Sequence, residues 1–559
     1  MATQLPVKTE KRGETARGCC TPSSDKMPQK MSVTPRRVLP IIFLPGIMGS
    51  NLRMSAERQA LIKSSNNIAW RPDYVTEGAK LLAASAADRQ RRLDPDATEV
   101  DIYQPNAPTG DKTTAAERHS VNDINVYLDV GIDTPLLKDD PITSGRRVTK
   151  EMKARSRGWS EIYFGSYHEL LEKCEMLLHS IVPYGPWGKI CDVDPATWRA
   201  SASCKLKPFS FLELKNITKG CWYPVHAMGY NWLQSNEDSG IEAAKRIRDL
   251  MERYRGSGYE CEKVIIVTHS MGGLVARAVI HPQMGALASE VLGIIHGAMP
   301  AIGAPAAYKR MRCGFEEGSL GLSIPPKVLG NFGDEVTAVL GNCRGGLELL
   351  PTKAYGNGWL NIRQGEKISL SLPSGGDPYS EIYSVKGKWF SLFREEWINP
   401  AGLPERGFEE TCKMLVKVKK FHESIDSTYH QLSYAHYSAD EKKPSWQKID
   451  WNFDRKCIDE NWQTLVVQAD NRQGKFYVAS GTVKNSGAFG VSLGGSVGPG
   501  DGTVPLQSAD DQMKSGKFAG VFRQLGYEHQ DSYKNEMALN STLYSLVRII
   551  QNMTWSRDV

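Results

Sequence analysis

The sequence predicts an α/β fold with a mostly parallel central sheet, flanking helices and a large cap or lid insertion. Three observations indicate it. Apolar runs rich in Val, Ile and Leu, typical of strands buried on both faces, begin near residues 38, 264 and 291. The first two end at turns that contain glycine. An amphipathic helical pattern separates the apolar segment at 225 from the run at 264, so strand and helix alternate as in a parallel sheet.

Composition divides the chain into four predicted parts. Residues 1–37 are rich in Lys, Arg, Thr, Ser and Pro, and we expect a disordered lead-in. Residues 38–319 are expected to form the first part of the α/β core, with a polar insertion at about 53–157. From 320 to 480 the periodicity weakens and aromatic, proline and charged residues interleave. This insertion is expected to form a cap or lid that covers the active site. Residues 481–559 are expected to complete the core.

Two helices are predicted on the core before residue 264. Residues 162–178 have an amphipathic pattern. The second helix follows the segment 225–232, which reads as a strand and the start of its loop. Glycines near 256 end this helix. Its expected buried face contains Ile241, Ala244, Ile247, Met251 and Tyr254.

One segment of the expected cap mixes apolar and basic residues. It spans residues 414–422, with the sequence Met-Leu-Val-Lys-Val-Lys-Lys-Phe-His. Such a pattern fits a lid element that faces a membrane. It also fits the solvated face of an ordinary helix, and this second interpretation is favoured.

The most informative local pattern surrounds Ser270. An apolar β-branched run stops at Thr-His-Ser-Met-Gly-Gly and continues as an apolar helix. A serine at such a strand-to-helix elbow is exposed at the end of a sheet and has a helix N-terminus behind it. The pattern departs from Gly-x-Ser-x-Gly because Thr268 stands where the first glycine is usual. We therefore predict that Ser270 is a nucleophile, against the plainer interpretation of a serine that caps a helix.

A serine elbow of this kind requires an acid and then a histidine later in the chain. The best acid is Asp501, because it lies in a glycine-rich turn that can present a carboxylate at a strand end. If Asp501 is the acid, His529 is the base, since no other histidine follows it. The separation of 28 positions leaves room for one strand. Asp510 and Asp511 remain as substitute acids, and Asp334 is a weaker one.

Two backbone amides are expected to stabilise the oxyanion. Met271 directly follows the serine, so its N–H faces the position where negative charge develops. The second donor is expected from the loop after the first strand, where a Pro-Gly turn aims the N–H of Ile47 into the site. A loop that only reverses the chain is the alternative for Ile47.

Taken together, these segments resemble a known family. Residues 45–52, 268–273 and 500–505 resemble the lecithin:cholesterol acyltransferase and GPI inositol deacylase-like branch of α/β-hydrolases. Residues 296–309 and 345–356 are similar to segments of the bacterial type VI secretion lipase effectors, most nearly the fourth family. The resemblance covers the catalytic core and leaves the insertions unconstrained.

The resemblance implies an antibacterial phospholipase with an α/β-hydrolase fold and a cap. It assigns Ser270 as nucleophile, Asp501 as acid, His529 as base, and Met271 and Ile47 as oxyanion donors. It also implies membrane phospholipid as substrate, a component of the type VI machinery as carrier and a cognate immunity protein as inhibitor. Delivery would be into the periplasm of a target cell.

Composition excludes several other classes. The net charge of +6 on 559 residues is mild, and no nucleic-acid motif accompanies it, so we expect no nucleic-acid partner. No window approaches the roughly 20 apolar residues of a membrane span. The lead-in lacks a signal-peptide core, so synthesis in the cytoplasm without a cleaved signal is expected. Eleven cysteines without a Cys-x-x-Cys pair argue against a disulfide framework or structural zinc, and we expect no cofactor or metal.

Two further functions remain open from sequence. The same triad chemistry serves an acyltransferase or a carboxylesterase acting on an ester that is not a phospholipid. A catalytically dead hydrolase scaffold that binds a membrane or a protein is the second alternative, and it requires the assignments of Asp501 and His529 to fail.

Overall fold

The computed structural model describes most of the chain. Its description covers residues 35–556, apart from 74, 104–136, 138–147, 180–184, 316–328, 458–460, 482–486 and 496, together with the backbone of three short strands before residue 35. The statements below concern these residues.

Six parallel strands form the central sheet. In chain order they are β1 Ile41–Leu44, β2 Val225–Ala227, β3 Val264–His269, β4 Val291–Gly297, β5 Ser433–Ser438 and β6 Phe518–Gln524. Their spatial order is β2-β1-β3-β4-β5-β6, and every neighbouring pair is parallel. The chain adds β2 on one side of β1 and then adds β3 to β6 in order on the other side, so the topological switch point lies between β1 and β3. Ligands of open α/β sheets bind at the carboxyl ends of strands at this point.

Alternate residues of these strands enter two separate apolar cores. Ile42 of β1 and Ile266 of β3 belong to the core on one face, whereas Ile41 and Ile265 belong to the core on the other. All six residues of β3 are buried. Strands buried on both faces need apolar side chains throughout, which explains the continuous runs in the sequence.

Four helices cover the sheet. α1 Phe164–His179 and α4 Glu536–Ile550 pack on one face, and α2 Asn236–Gly256 and α3 Gly272–Ile280 pack on the other. Ser235 caps α2 by accepting a hydrogen bond from the Asp238 amide. The α/β-hydrolase fold predicted from the sequence is confirmed, with helices on both faces of a parallel sheet.

One predicted buried position on α2 is wrong. Ile241 is 43% exposed, while Ala244, Ile247 and Met251 are buried as expected. The buried stripe instead runs through Asn236, Ser239 and Gly240, and an added Cβ on Gly240 would lie 2.4 Å from the Cβ of Ala278 on α3. Helix α3 therefore packs against the face that contains Gly240, and Ile241 lies outside that face.

A second six-stranded sheet lies between α3 and Asp501 in the chain. In spatial order its strands are Lys367–Leu372, Leu360–Gln364, Ile449–Phe453, Phe489–Gly494, Lys475–Ala479 and Val466–Asp470. The second and third pair in parallel, and the other neighbours are antiparallel. This mixed sheet is the principal structure of the cap insertion. It includes Phe489–Gly494, which lies in the segment 481–559 that was expected to complete the core. Conversely, β5 lies within the predicted cap 320–480 but belongs to the central sheet.

The segment 414–422 lies within the helix Phe408–Ile425. Its apolar residues Leu415, Val418 and Phe421 are buried, and Lys417 and Lys420 are exposed. This is the arrangement of an amphipathic helix that packs one face on the protein and presents the other to solvent.

The remaining regular elements are short and lie around the two large sheets. The strands are Arg37–Val38, Leu52–Met54, Ile68–Trp70, Thr98–Val100, Cys221–Trp222, Asp440–Trp446 and Val497–Gly500. The helices are Ala56–Leu61, Val75–Leu82, Ala86–Arg92, Lys150–Ser156, Phe211–Ile217, Pro305–Cys313, Gly333–Leu340, Arg344–Leu347, Glu395–Ile398, Leu506–Ala509 and Asp511–Lys514. None of the helices in the described part of the chain has the length and apolarity that a membrane crossing needs.

The N-terminal segment 1–37, which was predicted to be disordered, contains regular backbone structure. Its backbone forms three short antiparallel strands, Val7–Glu10, Gly13–Gly18 and Gln29–Ser32. The residues there are mostly polar, and no period-two apolar pattern in the sequence indicates a strand. The rest of residues 1–34 lies outside the described residues.

Candidate active site

Ser270 stands on a tight elbow between β3 and α3. Its backbone has φ of +52°, a left-handed conformation that is uncommon for a residue with a Cβ. The Ser270 amide donates to the carbonyl of Gly297 at 2.8 Å, which fixes the elbow on the end of β4. A Cβ on Gly272 would lie 2.5 Å from the carbonyl oxygens of Leu44 and Pro45. Glycine is required there because α3 begins directly against the end of β1.

Thr268 replaces the first glycine of the usual elbow pattern without disturbing the turn. Its side chain is fully buried, and its backbone carbonyl accepts a hydrogen bond from the Tyr533 hydroxyl at 2.8 Å. The strand is extended at this point, so a side chain is accommodated inside the core.

The structure brings Ser270, His529 and Asp501 together, although they are separated widely in the chain. His529 Nε2 lies 2.8 Å from Ser270 Oγ, and His529 Nδ1 lies 2.7 Å from Asp501 Oδ2. Because a carboxylate can only accept, Nδ1 carries the proton and donates it to Asp501. Nε2 is then the acceptor for the Ser270 hydroxyl, which is the arrangement that general-base activation of serine requires.

Several hydrogen bonds hold Asp501 in its buried position. Its Oδ1 accepts from the amides of Thr503 and Val504 at 3.0 and 2.7 Å, and its own amide donates to Ser445 Oγ. Burial alone would raise the pKa of Asp501. The neighbouring His529 and the two amides outweigh burial and lower this pKa below its ordinary value. The acid is therefore ionised and fixed in orientation.

The backbone of His529 is tied to the same loop. Its amide donates to the Asp501 carbonyl at 2.8 Å. The 3₁₀ helix His529–Lys534 follows β6, so the turn after this strand carries the histidine to the end of the sheet.

The two expected oxyanion donors flank the serine. Met271 is fully buried at the start of α3, and Ile47 lies in the turn after β1 that lines the cavity above Ser270. Among the described residues, neither amide N–H meets a hydrogen-bond acceptor. A free N–H at each position is what an oxyanion site needs before the reaction begins.

Ser270 opens into a cavity of about 480 Å³. Its polar lining includes Asp501, Thr503, Glu528, His529 and Gln530, together with Arg310 and Lys443. Its apolar lining comes from the turn after β1 and from segments of the core and cap, namely Ile47, Ala304, Ala306, Ala307, Phe315, Leu340 and Leu349. A cavity with both kinds of lining can take a substrate that joins a long apolar chain to a polar group.

The substitute acids lie elsewhere. Asp510 accepts hydrogen bonds from Tyr437 and Arg523, and Asp334 pairs with Arg472. Burial raises the pKa of Asp511, the third candidate. None of the three hydrogen-bonds His529 within the described residues, whereas Asp501 does.

Three residues that the sequence did not single out support the site. The Tyr230 hydroxyl donates to the carbonyl of Pro45 at 2.8 Å and so fixes the turn that carries Ile47. Tyr167 and His269 lie beneath the same turn and are hydrogen-bonded to each other at 3.0 Å. His269 could have been noticed because it precedes Ser270. Tyr167 has no sequence signal, since its role depends on how α1 packs against the sheet.

Comparison with known proteins agrees with this geometry. Residues 227–317 match the family described as PGAP1-like alpha/beta domain. The structure is similar to a chain in the crystal structure of the Tle4–Tli4 complex, with a TM-score of 0.72 and 27% sequence identity over 93% of this chain and 99% of that chain. No curated protein matches the sequence significantly.

The fold and these matches define an α/β-hydrolase. The likeness to the Tle4–Tli4 structure spans nearly the whole chain, so it includes the cap as well as the core. It confirms the predicted resemblance to the type VI secretion lipase effectors of the fourth family. The chain therefore has a hydrolase fold and resembles this effector type.

Proposed function

We propose that the protein is a serine lipase that hydrolyses acyl esters of membrane glycerophospholipids through a covalent acyl-Ser270 intermediate. The observation that carries this proposal is the hydrogen-bonded series Ser270, His529 and Asp501 in the wall of a cavity that also has an extensive apolar lining. The triad supplies acyl-transfer chemistry, and the cavity indicates an ester with a long apolar chain.

The first half of the reaction acylates the enzyme. His529 Nε2 accepts the Ser270 proton while Oγ attacks the ester carbonyl carbon. The amides of Met271 and Ile47 donate to the oxyanion of the tetrahedral intermediate. When this intermediate collapses, His529 returns the proton to the departing glycerol oxygen, and the lysolipid leaves.

The second half restores the serine. Water enters the same position, gives a proton to His529 Nε2 and attacks the acyl carbon. Collapse of the second intermediate releases the fatty acid and returns the proton to Ser270. Throughout, ionised Asp501 keeps the His529 tautomer and stabilises the imidazolium that forms in each step.

The likeness to the Tle4–Tli4 complex supports a proposal for the biological setting. We propose delivery by a type VI system into the periplasm of a rival cell, where membrane phospholipid is the substrate. We further propose that the producing cell makes a cognate immunity protein that binds this chain and blocks its cavity.

Vesicle hydrolysis tests the activity. Purified wild-type protein and a Ser270→Ala variant are incubated with phosphatidylethanolamine and phosphatidylglycerol vesicles, and fatty acid and lysolipid are identified by mass spectrometry. We expect lysolipid with wild type and a loss of about six orders of magnitude in turnover for Ser270→Ala. Ser545→Ala is the matched control, because that serine is buried in α4 and its hydroxyl donates to the Ser541 carbonyl of the same helix.

The same assay separates hydrolysis from transfer. An added alcohol that diverts the acyl group from water identifies an acyltransferase. Ser270-dependent turnover of simple esters without lysolipid release identifies a carboxylesterase. An unchanged rate in Ser270→Ala contradicts the proposed mechanism.

A further inference from the structure

His269 is a buried histidine that touches the catalytic machinery but takes no part in the proton transfers described above. It is 1% exposed and directly precedes Ser270. Its Nε2 lies 2.9 Å from the carbonyl oxygen of His529, and its Nδ1 lies 3.0 Å from the Tyr167 hydroxyl. The rings of His269 and His529 are 5.0 Å apart between centroids. The side chain thus bridges the base to a tyrosine on α1.

The chemistry of the partners fixes the direction of these hydrogen bonds. A backbone carbonyl only accepts, so Nε2 must carry the proton and donate it to the oxygen of His529. In a neutral ring Nδ1 is then an acceptor, and the Tyr167 hydroxyl must donate to it. Tyr167 Oη in turn accepts from the amide of Gly46 at 3.3 Å.

The result is a directed series of hydrogen bonds from Gly46 to Tyr167, to His269 and to His529. Its two ends are functionally distinct. Gly46 precedes Ile47 in the turn of the expected oxyanion donor, whereas His529 is the expected base. The series passes beneath Ser270 and is packed tightly, because a Cβ on Gly46 would lie 2.9 Å from His269 Nδ1.

Both side chains in the series stay neutral across the working range of pH. Burial, as the largest cause, lowers the pKa of His269 to about 3. Burial likewise raises the pKa of Tyr167 to about 12. The direction of the series is therefore the same in every protonation state of His529.

We propose that His269 is a positioning residue, which together with Tyr167 holds the base His529 in register with the oxyanion turn at Gly46. Its role is indirect: it bonds the backbone of His529 and leaves the imidazole free to move the proton. This proposal rests on the proposed function, since it concerns the geometry of the same reaction.

The test is a double-mutant cycle on His269→Phe and Tyr167→Phe. For each variant, kcat and KM are measured on phospholipid, and the rate at which a fluorophosphonate labels Ser270 is measured separately. Either change interrupts the series while keeping a ring in place. We expect each variant to lower kcat and the labelling rate about 10- to 100-fold, with KM within about twofold. Because one break is sufficient, the double variant should be no slower than the slower single variant.

Two further variants make the cycle specific. His269→Gln keeps one donor and one acceptor, so it should recover part of the lost kcat. Tyr383→Phe is the control, because this fully buried tyrosine also donates to a backbone carbonyl, that of Pro351 at 2.7 Å, but lies outside the series. It should lower the melting temperature and leave kcat per labelled site unchanged.

The outcomes distinguish this proposal from the one on which it rests. Failure of the proposed function appears as wild-type protein without Ser270-dependent hydrolysis. Failure of the positioning role appears with active wild type, as additive losses in the double variant or as an unchanged kcat per labelled site in both single variants. If His269→Phe does not fold, Tyr167→Phe alone carries the test, since it removes only a hydroxyl.

Discussion

The polar and apolar linings of the cavity are built in different ways. In the polar lining, buried groups from distant parts of the chain are fixed by directed hydrogen bonds, such as those of His529 with Ser270 and Asp501. In the apolar lining, Ala306, Ala307 and Leu349 offer side chains that form no hydrogen bonds. From this difference we expect the polar lining to determine whether an ester is cut and the apolar lining to determine which ester is held.

The largest effect is expected when Asp501 in the polar lining is changed. Asp501→Asn keeps the shape but allows the amide to donate to His529 Nδ1, which favours the wrong tautomer. We expect kcat to fall about 10⁴-fold with little change in KM. Asp510→Asn is the control, because Asp510 is also buried but bonds Tyr437 and Arg523 instead of the histidine. Equal losses in both variants would contradict the role of Asp501.

A smaller loss is expected when the packing beneath the site is disturbed. Gly46→Ala places a Cβ 2.9 Å from His269 Nδ1 and 3.0 Å from Ser270 Cβ. The elbow must shift, so we expect about 1–3 kcal/mol of lost stability and at least a tenfold lower kcat. Urea unfolding and steady-state kinetics measure the two. A Cβ added at Gly256 would meet no atom within 4 Å, so Gly256→Ala is the control and should lower neither stability nor kcat. A fully active Gly46→Ala would show that the turn tolerates movement.

A substitution in the apolar lining should change substrate selectivity and leave the chemistry intact. Ala307→Phe adds a ring to the wall of the cavity, because Ala307 lines it and is only partly buried. We expect esters with short acyl chains to be cut within about threefold of the wild-type rate and esters with long chains to lose about tenfold or more in kcat/KM. A series of p-nitrophenyl esters of increasing length measures this. A uniform loss across the series would place Ala307 in the chemistry instead.

The smallest effect concerns acid stability. Burial lowers the pKa of His296 and His436 to about 3, whereas both groups return to about 6.5 when the chain unfolds. The unfolded state therefore binds more protons, so this contribution to stability is complete above pH 6.5 and is lost as pH falls toward 3. His436→Leu should reduce the loss of unfolding free energy between pH 6.5 and 5 by about 1–2 kcal/mol, as measured by urea unfolding. An identical pH slope in the variant would show that His436 is protonated in the folded state.

The candidate catalytic residues of the polar lining could be predicted from sequence, whereas the cap sheet and the residues that support the site could not. Ser270 lies in a local strand-to-helix pattern, and Asp501 and His529 follow from chain order. The strands of the cap sheet lack a clear period because residues such as those of Ile449–Phe453 are buried on both faces. Tyr167 and His269 meet across 102 positions, and only tertiary packing brings them into contact.

Ser270 is the residue that we expect to form the covalent intermediate, and covalent labelling tests this most directly. Wild-type protein and Asp501→Asn should be treated with a fluorophosphonate, digested and mapped by mass spectrometry, with lipid hydrolysis measured in parallel. We predict a single added mass on the peptide that contains Ser270, loss of hydrolysis in proportion to labelling, and much slower labelling of Asp501→Asn. Label on another residue, or hydrolysis that persists after Ser270 is fully labelled, would contradict the role of Ser270.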